Sequence, residues 1–254
     1  MAAWQQADVP DVVSNSLIKP AIGDGMEALK IGIDAPEPVS GLLLNPPDAR
    51  ACFVFAHGAG AGMAHPFMNA VAAGLFERSI ATLRYQFPYM EKGAKRLDAP
   101  AAAHATVRAA VAEASSRCPK LPLIAGGKSF GARMTSQAQA AAPLPGVRGL
   151  AFLGFPLHPA GKPSDGRAAH LFGINIPMLF LQGTRDKLAD LPLVNGLVGK
   201  LGPQNTLHLF EDNDHSLHVP VRSGKNDPMI MGELLDVLAA WIQGRVMATR
   251  ASLS

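Results

Sequence analysis

Apolar and polar positions along the chain follow two alternating patterns. Short, continuous apolar runs bounded by turn residues alternate with longer segments of helical periodicity. Ala51 to Ala56 (ACFVFA) is one such run, and it ends in His57-Gly58. Ile80 to Phe87, Leu121 to Gly126, Val147 to Phe155, Met178 to Gln182 and Thr206 to Phe210 also read as strands. The run ACFVFA suits a strand buried on both faces. Helical segments lie between them: Pro66 to Arg78, Ala99 to Arg117, Ser129 to Ala141, Leu191 to Leu201 and Pro228 to Arg245. The last opens on proline and carries Gly244 near its end. Ala28 to Ile33 and Gly41 to Leu44 read as a leading hairpin. The βαβα alternation predicts an α/β fold, with a mostly parallel central sheet and helices on both faces. The Pro/Gly-rich connection from Pro156 to Pro177 is too short for a large cap domain. Residues 26–254 are expected to form a single domain. Residues 1–25, polar and broken by proline and glycine, are expected to form an N-terminal arm.

Composition narrows the possible functions. The chain has 254 residues, 48% of them hydrophobic and 17% charged, so it can build a real core and is not a disordered chain. No apolar run reaches the roughly 18 residues of a membrane-spanning helix, so no membrane partner is expected. The formal charge is +3 with no Lys/Arg block, which predicts no nucleic-acid partner. Cys52 and Cys118 show neither a disulfide framework nor zinc-ligand spacing. With no secretory pattern at the N-terminus, the expected location is cytoplasmic. Oligomeric state stays open.

Chemistry enters at Gly127-Lys128-Ser129-Phe130-Gly131. This G-x-S-x-G stands between a predicted strand and a predicted helix, the context of a nucleophile elbow. The turn is so tight that residues two before and two after the serine must lack bulk. Ser129 is then lifted above the sheet edge at a helix N-terminus, where the dipole favours developing negative charge. A serine hydroxyl needs a base, and the base needs an orienting acid.

The chain order in such folds is serine, then acid, then histidine. Asp186 follows the strand MLFLQ and is the expected acid. His215 follows the last strand, in Glu211-Asp212-Asn213-Asp214-His215, and is the expected base. His218 competes as base and Asp165 as acid. Asp212 and Asp214 are read as solvating their loop. The remaining histidines, His57, His65, His104, His158, His170 and His208, are read as structural.

His57-Gly58-Ala59-Gly60-Ala61-Gly62 follows the strand ACFVFA. It lacks the G-K-[ST] ending of a phosphate loop and the register of a dinucleotide site. Its small residues suit an oxyanion loop, with N–H donors expected from Phe130 and from Ala59 or Gly60. Phe87 and the Phe155–Leu157 segment leave strand ends and are expected to border an apolar substrate pocket. Arg84 is a candidate substrate contact. With Lys128 and Arg185, it either attracts an anionic substrate or holds loops together.

Several segments in order carry a resemblance: FAHGAGAGMAHPFM, LRYQFPYME, GGKSFGARM, FLGFPLHPAGKP, LFLQGTRD and DNDHSLHVP. The chain resembles cap-less α/β-hydrolases of the dienelactone-hydrolase-like kind. Within them it looks most like the clade of testis-expressed-30-like proteins and the hydrolase-like subunit of a chromatin acetyltransferase complex. The resemblance covers roughly Ala51 to Arg245 and implies a triad of Ser129, Asp186 and His215. It also implies a serine hydrolase for a small carboxylic ester or thioester, with no metal and no cofactor. A serine in place of the cysteine nucleophile speaks against a dienelactone substrate. The alternatives are a catalytically silent scaffold of the same fold and a small serine peptidase.

Overall fold

A computed structural model describes residues 25–33 and 37–247 of the chain. The arm expected over residues 1–25 lies, but for Gly25, outside the described residues. Eight strands form one sheet in the order β1-β2-β4-β3-β5-β6-β7-β8. They are β1 (Met26–Ile31), β2 (Val39–Leu44), β3 (Ala51–Ala56), β4 (Ile80–Tyr85), β5 (Leu123–Lys128), β6 (Val147–Leu153), β7 (Met178–Gly183) and β8 (Thr206–Phe210). The leading hairpin is antiparallel, with Met26 opposite Leu44, and β2 is antiparallel to β4. All other pairings are parallel.

The helices are α1 (Pro66–Phe76), α2 (Pro88–Glu91), α3 (Pro100–Arg117), α4 (Phe130–Ala141), α5 (Leu191–Leu201) and α6 (Asp227–Trp241). Every residue of β3 and β4 is buried; β3 is an unbroken apolar run, whereas β4 carries Thr82 and Arg84 into the interior. The two-residue period divides β3 between two cores. Phe53 and Phe55 pack with α1 and α6. Cys52, Val54 and Ala56 pack with α3, α4 and α5 on the other face. Each fully buried phenylalanine contributes about 1.5–3 kcal/mol over the exposed state.

The boundaries moved where proline intervenes. β4 stops at Tyr85 instead of Phe87, because Phe87 is extended ahead of Pro88, which opens the unforeseen short helix α2. β5 begins at Leu123, since Pro122 lacks the N–H a ladder needs; its carbonyl still accepts from Cys52 N–H at 3.0 Å. The last α-helix ends at Trp241, and a π-helical segment, Ile242–Met247, follows it. The Pro156–Pro177 connection contains a 3-10 helix, Gly166–Gly173. No described helix is long and apolar enough to cross a membrane.

Candidate active site

Strand β5 runs into Ser129, and α4 starts at the next residue. Ser129 has φ +50° and ψ −107°, a strained left-handed conformation for a residue with a side chain. The two glycines make that turn possible. A Cβ on Gly127 or on Gly131 would lie 2.6 Å from the Ala56 carbonyl oxygen. Ser129 is thereby held against the end of β3, its own N–H donating to Leu153 O at 3.2 Å.

Asp186 sits in the turn after β7, its side chain fully buried. Leu188 N–H donates to its Oδ1 at 2.8 Å, and Gln182 Nε2 donates to its Oδ2 at 2.5 Å. His215 sits in the turn after β8. Asn213 braces this turn, donating from Nδ2 to Leu217 O at 2.8 Å. Asp214, expected merely to solvate the loop, accepts from the N–H groups of Ser216 and His218 and so shapes it. The turn presses on β7 so closely that a Cβ on Gly183 would lie 2.3 Å from Asn213 O.

These three turns bring their side chains into one chain of hydrogen bonds. His215 Nδ1 lies 2.7 Å from Asp186 Oδ2, and His215 Nε2 lies 2.8 Å from Ser129 Oγ. A carboxylate only accepts, so Nδ1 carries the proton and Nε2 accepts from the serine hydroxyl. Burial lowers the His215 pKa, the Lys128 cation lowers it further, and Asp186 opposes both. The imidazole is therefore held neutral, ready to take a proton. The arrangement can activate a hydroxyl for attack on a carbonyl.

The competing residues stand elsewhere. His218 is exposed and paired with Asp227, 2.8 Å away. Asp165 is exposed at the start of the 3-10 helix. The six remaining histidines have structural partners: His65 accepts from Phe67 N–H, for instance, and His158 from Asp190 N–H.

The loop after β3 is fixed by a residue that sequence reasoning left as merely structural. His57 is fully buried, and burial pushes its pKa down to about 4. The neutral ring donates to Gly58 O at 2.8 Å and accepts Phe87 N–H at 3.1 Å. It ties the loop after β3 to the loop after β4. The Gly60 N–H donates to the Tyr89 hydroxyl at 2.9 Å, so the expectation of Gly60 as a free donor is corrected. The N–H groups of Ala59 and Phe130 have no acceptor among the described residues.

The expected substrate contacts are also corrected. Phe87 is buried edge-on to His57, Tyr85 and Phe130. Phe155 is buried against Phe152 and Phe180, and Leu157 is buried as well. Phe87 and Phe155 each precede a proline that turns the chain, and their rings fold under the rim. Arg84 is buried and donates to Met63 O and Asn69 Oδ1. Lys128 donates to the His215 carbonyl, and Arg185 lies 3.9 Å from Asp212. All three cations hold loops.

Gln182 and Asn213 were missed, and Tyr89, expected at the pocket border, instead accepts the Gly60 N–H. The one sequence signal for Gln182 is a polar residue closing an otherwise apolar strand.

A family model described as alpha/beta hydrolase domain matches residues 49–243. The chain belongs to that family. Solved α/β-hydrolases share its fold. A dienelactone hydrolase from Anabaena variabilis is 18% identical, with a TM-score of 0.69 over 87% of this chain and 98% of that one. XC6422 from Xanthomonas campestris, an α/β serine hydrolase without a lid, is 22% identical, with a TM-score of 0.65 over 85% of this chain and 95% of its own. The esterase domain of a Rhodothermus marinus protein is 16% identical, with a TM-score of 0.66 over 87% and 99%. This α/β-hydrolase likewise has no large cap domain among the described residues.

Proposed function

We propose that this chain is a serine hydrolase that cleaves a small carboxylic ester or thioester, with residues 26–254 as its single domain. The carrying observation is the hydrogen-bonded series from Ser129 through His215 to Asp186. Ser129 Oγ attacks the carbonyl carbon while His215 Nε2 takes its proton. Asp186 holds the Nδ1 tautomer and stabilises the imidazolium. The N–H groups of Phe130 and Ala59 receive the oxyanion, each donor supplying about 3 kcal/mol of barrier lowering. His215 then protonates the departing alcohol or thiol, leaving an acyl-Ser129. Water, deprotonated by His215, attacks the acyl carbon and releases the acid and free Ser129.

The names of the structural neighbours, esterases and a dienelactone hydrolase, support an ester substrate. A cytosolic setting fits the two free cysteines. The ordered sequence segments support kinship with the testis-expressed-30-like clade.

A fluorophosphonate probe tests the reading. Wild-type protein should label covalently, Ser129→Ala should not label, and His215→Ala should label far more slowly. A folded wild type that does not label overturns the proposal in favour of a silent scaffold.

A further inference from the structure

Beyond Ser129, α4 faces the 3-10 helix Gly166–Gly173 with arginine on both sides. Arg133 stands one helical turn past the serine, its N–H donating to Ser129 O at 3.2 Å. Three residues later Ser136 Oγ meets His170 Nε2 at 2.8 Å, which docks the 3-10 helix on α4. Residues three apart are neighbours on an α-helix and eclipse on a 3-10 helix. Arg133 stands three residues before Ser136 on α4, and Arg167 stands three before His170 on the 3-10 helix docked against it. His104 of α3, 3.2 Å from Gln137 of α4, adds another nitrogen ring beside the pair.

Among the described residues no carboxylate is paired with this cluster. Neither arginine takes part in an ion pair among the described residues. Arg133 is half-buried, and its Nε is buried with no acceptor among those residues. The groups feel one another. Burial and then the Arg167 charge lower the Arg133 pKa. Burial brings His170 down to about 4, the Arg167 carbonyl opposes it, and the charges of Arg133 and His104 add to it. Like charges gathered in a partly desolvated place destabilise each other until an anion joins them. Guanidinium donors match the oxygens of a carboxylate or a phosphate. Side chains on a helix lean towards its N-terminus, so Arg133 leans towards the Ser129 end of α4.

We propose that Arg133 and Arg167 form an oxyanion-binding subsite for a carboxylate or phosphate carried by the ester that Ser129 attacks. The substrate class is then an anionic ester or thioester. This inference rests on the hydrolase reading above.

Two ester pairs test it on the full chain. Monomethyl adipate against methyl hexanoate places the charge on the acyl side. 4-Acetoxybutanoate against butyl acetate places it on the alcohol side. In at least one pair the anionic ester should have a kcat/KM roughly tenfold above its neutral partner, the scale of one charge-assisted hydrogen bond. Arg133→Met and Arg167→Met should each lower that ratio about fivefold or more. Arg167→Lys, which keeps the charge without the planar donors, should lower it less.

A second readout does not need turnover. Inorganic phosphate and adipate are titrated calorimetrically into Ser129→Ala protein. Binding that Arg167→Met weakens supports the subsite, and the tighter of the two names the preferred group. Ratios at or below one in both pairs, in protein whose Ser129 labels with fluorophosphonate, overturn the subsite and leave the hydrolase reading standing. Absent labelling sinks the hydrolase reading instead, and absent binding of both anions sinks the subsite.

Discussion

The Lys128 ammonium donates to the main-chain carbonyl of His215. The residue beside the nucleophile thus holds the loop that carries the base. Its Nζ also lies 5.9 Å from the centre of the Phe67 ring, and burial lowers its pKa to about 8. Lys128 therefore acts on His215 twice, through the backbone it anchors and through the charge it brings near the imidazole.

Lys128→Met should lower kcat/KM about tenfold to a hundredfold, because a loosened His215 no longer sits over Ser129 Oγ. It should also move the pH profile. Hydrolysis needs neutral His215, so the wild-type rate falls as pH drops through a His215 pKa held below 6.5. Removing the Lys128 cation raises that pKa, and the acidic limb of kcat/KM should shift to higher pH. An unshifted limb would show that the charge plays no part.

Gln182 bridges Asp186 and the chain after β6, donating to Asp186 Oδ2 and accepting Phe155 N–H at 2.9 Å. Gln182→Met leaves Asp186 one donor short and the Phe155 N–H unpaired. Steady-state kinetics should show kcat about tenfold lower, with KM changed by less than about twofold. An equal rise in KM would instead mean that the substrate site itself had moved.

His57 makes stability depend on pH. Its folded pKa of about 4 lies below the ordinary value of 6.5, so the unfolded chain binds a proton that the folded chain refuses. This contribution is complete above pH 6.5 and is lost as pH falls to about 4. It amounts to about 3 kcal/mol. Urea unfolding at pH 7 and pH 4.5 should show the loss in wild type, and His57→Asn should shrink the difference between the two pH values.

Gly127→Ala should destabilise the protein by about 3 kcal/mol or more, since its Cβ would meet main-chain oxygen instead of a yielding side chain. Calorimetric melting checks this. Gly173→Ala, with nothing within 4 Å of the added carbon, is the control and should change stability by less than about 1 kcal/mol.

The strand runs and the elbow were legible because they are local. β3 and α5 fall on the residues that the apolar pattern marked, and so does β8. Ser129, Asp186 and His215 were legible because strand ends in a parallel sheet share one rim, so chain order alone nearly determines which side chains meet. Gly60 was misjudged because its N–H partner, Tyr89, lies 29 positions away on an unforeseen short helix. Phe87, Phe155 and Leu157 were misjudged because being near a strand end says nothing about which way a side chain turns.

By itself the sequence determined the α/β alternation, the tight turn at Ser129 and the order of the three polar residues. These depend on period, glycine placement and spacing, all properties of neighbouring residues. Tertiary structure alone decided which N–H groups stay free and which cations brace loops. It also decided that α4, which carries Arg133, packs on the 3-10 helix that carries Arg167, with neither arginine in an ion pair among the described residues. Such matters turn on hydrogen-bond partners and charges distant in the chain, and only packing brings those within a few ångströms of each other.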